Sequence, residues 1–383
     1  MKLIPSKLSI TNLTLVVTSF LLFRVNDWWL LRLGGVKEKE NFSDLYLTYQ
    51  LTQCRGNSCE GFIYGDLLFR AVRMLNLDRS DINSIGNLLT MVFILYAYTL
   101  VSQFEKTRSK LLLLAIIFGP PTQLLLERMN LDLLLFLMAV LAFRSLHRPY
   151  IGILILILGS LIKAYLVIAV FLFILLSYKN LDIVRRTVII LIALAVGVYV
   201  SLDYASKAGP YETWNQSFGL PVFGIWIETL VKWDNVNLWL LPSLLVILFV
   251  LGRQFETKVQ SGISAISGAG LNTDISLSSV ILLLPVGTTM WLFFINFDYR
   301  MIFLTIPLAI MFLRTNSTKL FSLVLTVTWL SSTNLFPGIR FAYPASQAIG
   351  DILGLFLCLV AAKLSFEIIR GYIRVKAPNW MDK

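Results

Sequence analysis

The sequence predicts an all-α polytopic membrane protein, and three observations carry that expectation. Of its 383 residues, 57% are hydrophobic and only 14% charged, against about 25% charged in soluble domains. Apolar runs recur from one end to the other, with mean hydropathy +0.76, a pattern of repeated bilayer crossings rather than of a soluble domain with one anchor. The net charge of +11 comes from Lys and Arg gathered between those runs, as in cytoplasmic loops that face anionic headgroups. Nucleic-acid binding is the weaker reading of that charge, since the basic clusters are short and separated by apolar segments.

The first predicted helix covers Ser9 to Leu31 and is retained, because no small-residue cleavage site follows it. Arg24 and Asp27 near its far end suit a local ion pair and snorkelling to the interface. The segment from Arg32 to Ser84 is too polar to span, and pieces such as YGDLLFRAVRML read as surface helices. Further helices are predicted at Ile85–Gln103, Lys110–Leu126, Asn130–Ser145, a double segment Ile151–Ser177, and Val184–Leu202. Those at Leu238–Leu251, Ser278–Ile295, Arg300–Leu313, Leu320–Asn334 and Ala348–Ile369 complete the set.

Basic residues gather at Lys2/Lys7, Lys106/Arg108/Lys110, Arg144/Arg148, Lys179/Arg185/Arg186, Arg253/Lys258, Arg314/Lys319 and Arg370/Arg374/Lys376. If all of these are cytoplasmic, Ile151–Ser177 must begin and end on one side. At about 1.5 Å per residue it is too short for two full spans, so it reads as a re-entrant or short hairpin with Lys163 near its tip. The expected architecture is a bundle of about 11–12 membrane helices, one pair short or re-entrant, with outer-face loops and interfacial helices. Both termini are cytoplasmic. A single integral domain covers 1–383, with 1–314 as the main module, including the outer loop 32–84, and 315–383 as C-terminal helices. The non-cytoplasmic face then collects the Asp44 loop, the turn LLLERMNLD, the tip LIKAYL, the loop Asp203–Asn237, the turn INFDYR and the loop FPGIRFAYP.

Most residues that suit chemistry fall on that face. Asp44, in NFSDLYLTY with Tyr46, is either a helix cap or a general base at the membrane boundary. Glu127, Arg128, Asn130 and Asp132 crowd one turn. Either Arg128 pairs with Glu127 or Asp132, or it faces a phosphate while Asn130 adds a hydrogen bond and caps the next helix. Lys163 interrupts a charge-free apolar stretch with no adjacent partner, which favours a cation for an anionic headgroup over a snorkelling lysine. Asp298, Tyr299 and Arg300 share a turn, where Arg300 either pairs with Asp298 or binds a phosphate oxygen. In YETWNQSFGLPVFGIW, Tyr211, Trp214 and Trp226 suit stacking on a sugar, with Asn215 and Gln216 as hydrogen-bond partners. Cys54 and Cys59 share a loop, which leaves both a disulfide, in an oxidising compartment, and two free thiols open, while Cys358 reads as packed. No metal-ligand spacing is present, and His147 reads as a solvated interfacial residue.

At these residues the chain resembles the GT-C superfamily of membrane glycosyltransferases, most of all glycosyltransferase family 87 and related polyprenyl-phosphate-dependent mannosyltransferases. The matching elements are DLYLTY, IYGDLL, ERMNLDLLLF, LIKAYLVI and NFDYRMIFL, in order and spacing from the first helix to about Leu313. The resemblance implies inverting transfer from a lipid-phosphate sugar to a lipid or glycan acceptor, with Asp44 as catalytic base. It further implies Arg128, Lys163 and Arg300 on the donor phosphate. Tyr46, Tyr64, Asp66, Asn130, Trp214, Asn215, Asp298 and Tyr299 would contact substrate. No metal or other cofactor is expected, because a phosphate departs as a stable anion. The chain departs from the family pattern at Met129, Leu166 and Gly65/Asp66. Rival readings are a lipid-linked glycan flippase or transporter, an O-antigen-type ligase or polymerase, and a non-catalytic membrane protein.

Overall fold

A computed structural model of the chain describes residues 9–25, 74–75, 77–128, 130–177, 181–207, 217–218, 279–293, 296–297, 301–330 and 342–376. The described residues are helical almost throughout, as expected of an all-α chain. Helices α1 (Ile10–Val25), α2 (Arg79–Val101), α3 (Thr107–Ile117) and α4 (Pro120–Arg128) come first. Next come α5 (Asp132–Arg144), α6 (Pro149–Ile162), a 3-10 turn (Ala164–Leu166), α7 (Val167–Leu176) and α8 (Ile183–Lys207). After β1 (Ser217–Phe218) come α9 (Leu284–Phe293), β2 (Asn296–Phe297), α10 (Ile302–Arg314), α11 (Thr318–Leu330) and α12 (Ala342–Lys376). The two short strands pair antiparallel.

Among the described residues, two stretches are long and apolar enough to cross a bilayer, Ser80–Val101 and Ile183–Leu202. Other apolar helices, such as Pro149–Ile162 and Ile302–Arg314, are shorter than the roughly 20 residues of an ordinary span.

Three boundaries differ from the sequence expectation, each for a local reason. Helix α2 begins at Arg79 rather than Ile85, because Asp78 and Asp81 close a reciprocal cap. The Asp81 N–H donates to Asp78 Oδ1 at 2.9 Å and the Asp78 N–H to Asp81 Oδ2 at 2.8 Å, which satisfies amide donors that a helix start leaves orphaned. The stretch Lys110–Leu126 is two helices, not one. Pro120 and Pro121 supply no amide hydrogen to continue α3 but suit the first turn of α4. Helix α12 outruns Ala348–Ile369 at both ends and is 35 residues long, since polar residues such as Ser346 and Gln347 before it and charges such as Arg370 after it close an apolar window without ending a helix.

The chain divides into two compact units. The first comprises Met1–Val36, Ala97–Thr122 and Thr213–Lys383. Its centre is α10, buried on all sides from Ile302 to Phe312, with α3, α9 and α11 against it. Gly287 of α9 sits so close to α10 that a β-carbon there would lie 2.4 Å from the Phe303 carbonyl oxygen and 2.6 Å from its carbon. Helix α12 packs on α9 and α11, where Cys358 is fully buried and Ser365 shares a 3.3 Å hydrogen bond with Thr288. At the start of α1, the Ser9 N–H donates to the Tyr98 hydroxyl and Lys110 Nζ donates to Asn12 Oδ1 at 2.7 Å.

The second unit comprises Lys37–Tyr96 and Gln123–Glu212. Helices α5, α6, α7 and α8 run up and down in it. Helices α6 and α7 form a short hairpin, since a β-carbon on Gly152 would meet the Phe173 ring at 2.3 Å. The Phe143 ring of α5 lies 5.8 Å from the Phe173 ring. Helix α8 returns alongside α7, with Gly197 against Val167, and its start meets α6 where Arg185 Nη1 donates to the Tyr150 hydroxyl. Small residues thus stand where the helices approach most closely, which is how packing substitutes for hydrophobic drive among apolar helices.

Candidate functional site

Antiparallel packing in the second unit brings the first residue of α5 to the residue that ends α6. At the α5 start, the Asn130 side chain bends back so that its Oδ1 accepts the Asp132 N–H at 3.0 Å, an Asx turn that starts the helix. Asp132 follows in the first turn, where the helix dipole favours a carboxylate. At the other side of the contact, α6 stops at Lys163, whose backbone is extended (φ −143°, ψ 124°). The chain then makes the 3-10 turn Ala164–Leu166 before α7 begins. The break projects Lys163 and Tyr165 towards the α5 start.

Four side chains meet there. Lys163 Nζ donates to Asp132 Oδ1 at 2.8 Å and to Asn130 Oδ1 at 3.3 Å. The Tyr165 hydroxyl donates to the same Asp132 oxygen at 2.7 Å. Asp132 is 0% exposed and Lys163 5%, and Asn130 and Tyr165 are buried with them. A carboxylate and an ammonium removed from solvent are tolerable only with this close pairing and supplementary hydrogen bonding. The result is a buried cluster that sets the geometry between two segments far apart in sequence.

Its depth follows from the neighbouring helix. Val167 packs on Gly197 of antiparallel α8, and Lys163 lies about one turn beyond Val167. The cluster is therefore level with the last turn of the apolar stretch Ile183–Leu202. The opposite end of the unit carries Arg144, Arg148, Arg185 and Arg186.

One expectation changes here. Lys163 is neither solvated nor without a neighbour: its partner is Asp132, 31 residues earlier. Asp132, a candidate mate for Arg128, pairs with Lys163, and the Arg128 side chain lies outside the described residues. The helix break at Lys163 and the Asn130 cap agree with the sequence reading of that turn. Tyr165 was missed altogether. Helices α5 and α6 are of nearly equal length, 13 and 14 residues, so folding the chain about their short connection would have set Asp132 opposite Lys163 and Tyr165.

Arg128 ends α4, and its side chain lies outside the described residues. So do Asp44, Tyr46, Tyr64, Asp66, Trp214, Asn215, Asp298, Tyr299 and Arg300, and the predicted helix Leu238–Leu251. His147 is exposed. Among the described residues no group of three or more His, Cys, Asp or Glu is arranged to hold a metal ion. Comparison of the chain with family models, with characterised proteins and with solved structures finds no match.

Proposed function

We propose that the chain is a multi-pass membrane glycosyltransferase of the GT-C type. It transfers a hexose such as mannose from a polyprenyl-phosphate donor to a lipid or glycan acceptor at the non-cytoplasmic face of the plasma membrane. The observation that carries this reading is the meeting of ERMNLD and LIKAYL, two of the motifs behind the family resemblance, in one buried cluster. Ionisable residues packed inside an apolar bundle are costly, and function is the usual reason for retaining them. The level of the cluster, at the end of an apolar stretch, suits a boundary enzyme better than a carrier, whose site belongs near the bilayer midplane.

Membrane embedding is supported by the outer side of α8. Val184, Leu191, Val198 and Leu202 are each more than half exposed, a row that water would not tolerate but hydrocarbon matches. The arginines at the far end of the unit suit the cytoplasmic side, which leaves the cluster at the outer one.

In the reaction, the Asp44 carboxylate takes the proton of the acceptor hydroxyl as that oxygen attacks the anomeric carbon. The bond from that carbon to the phosphate oxygen breaks with inversion, and the electron pair leaves with the polyprenyl phosphate. The leaving group needs no proton, so one base and a set of cations suffice. The family resemblance assigns the phosphate charge to Arg128 and Arg300. Lys163, already balanced by Asp132, mainly fixes the turn that presents Arg128 and Asn130. The family resemblance assigns the sugar contacts to Tyr46, Tyr64, Asp66, Trp214, Asn215, Asp298 and Tyr299.

The test is transfer by purified protein offered polyprenyl-phosphate mannose, glucose and arabinose with a membrane lipid extract. Product from wild type but not from Asp44→Asn supports the reading. Donor that neither binds nor turns over removes it.

A further inference from the structure

At the end of the second unit away from Lys163, α6 and α8 begin side by side. The Arg185 guanidinium donates to the Tyr150 hydroxyl, and its carbon lies 5.9 Å from the centre of that ring. Arg148 is exposed just before α6, and Arg144 and Arg186 are half-buried nearby. One acidic residue among those described there opposes them. Asp182 Oδ2 lies 2.9 Å from Arg185 Nε, and its other oxygen accepts the Arg185 N–H. The patch remains positive after that pairing.

An apolar seam rises from this patch. Leu154 and Leu158 stand one and two turns above Tyr150, and Val188 and Ile192 one and two turns above Arg185, all of them exposed. These spacings put each pair on the side of its own helix that carries the Arg185–Tyr150 contact, over a rise of about 10–12 Å.

We propose that this end of the molecule binds an anionic glycerophospholipid, with its phosphate on Arg148 and Arg185 and an acyl chain along the α6–α8 seam. A soluble anion makes no use of the aliphatic rows, and a neutral hydrocarbon makes no use of the arginines. One molecule that satisfies both is a phospholipid of the anionic leaflet. Arginine matches phosphate with paired donors, and tyrosine sits at headgroup depth. The site requires the bilayer but not the transfer reaction, so it stands or falls separately from the activity.

The experiment compares retention of phosphatidylglycerol, phosphatidylcholine of the same acyl chains, and glycerol phosphate by the purified full chain, read by native mass spectrometry. Wild type should hold phosphatidylglycerol in preference to the other two. Arg148→Gln with Arg185→Gln should weaken that binding roughly thirtyfold and leave phosphatidylcholine unchanged. Arg148→Gln alone, at an exposed position, should weaken it about fivefold and serves if the double variant does not fold. Equal retention of the two lipids, or unchanged affinity in a folded variant, overturns the proposal. Glycerol phosphate binding as tightly as phosphatidylglycerol overturns it equally, because the seam would then contribute nothing.

Discussion

Lys163 and Asp132 stand 2.8 Å apart and almost wholly out of solvent, although 31 residues separate them. Each is the other's reason for being tolerable there. Removing one alone breaks a buried ion pair, at a cost of about 3–5 kcal/mol. Lys163→Met and Asp132→Leu should therefore each lower the thermal stability of the purified protein sharply, and the double variant should recover most of the loss. Additive losses in the three-way comparison would mean that the pair is not coupled.

Tyr165 holds the same carboxylate oxygen by a hydrogen bond of 2.7 Å. Tyr165→Phe keeps the ring and its packing but leaves Asp132 with Lys163 as its charged donor. The expected loss is about 1.5–3 kcal/mol, smaller than for Lys163→Met. Chemical unfolding of the two variants side by side orders them.

Gly287→Ala should abolish recovery of folded protein, because its methyl group would meet main-chain atoms of Phe303 at 2.4 and 2.6 Å and no side-chain rotation relieves that. Gly354→Ala is the matched control within the same unit. Its nearest neighbours are side-chain atoms at 3.9 Å, so yield and melting temperature should stay near wild type. Size-exclusion profiles of the two variants decide.

Asp44→Asn should remove sugar transfer while the protein stays folded and keeps its donor lipid. Chelation should leave wild-type turnover unchanged, since the leaving phosphate is expected to be stabilised by arginines. Activity lost to a chelator and restored only by a divalent cation would replace this mechanism with a metal-assisted one.

Much of the helical layout was legible because apolar runs and basic connectors mark bilayer-like segments directly. The α6–α7 hairpin was legible for a sharper reason: basic residues at both ends of a segment too short to cross twice, with Lys163 between them. What escaped were features that hydropathy does not register. The Asp78/Asp81 cap makes the mostly polar stretch Arg79–Ser84 helical, and Pro120–Pro121 ends a helix inside an apolar run. The site was legible in part. A lone lysine in an apolar stretch signals a partner, but which partner depends on how two helices fold back on each other. That is tertiary information, and only the near-equal lengths of α5 and α6 hint at it.

Helix α12 runs unbroken for 35 residues to Lys376, about 52 Å at the usual rise and well beyond the thickness of a hydrocarbon core. Its packed face, with Cys358 and Ser365 against α9 and Leu364 and Ile368 buried further on, holds it in the first unit to within about two turns of its last residue. A helical protein spliced in phase onto that end would inherit a fixed orientation. The chain thus carries its own mount for an imaging fiducial, joined far from the cluster around Lys163 in sequence.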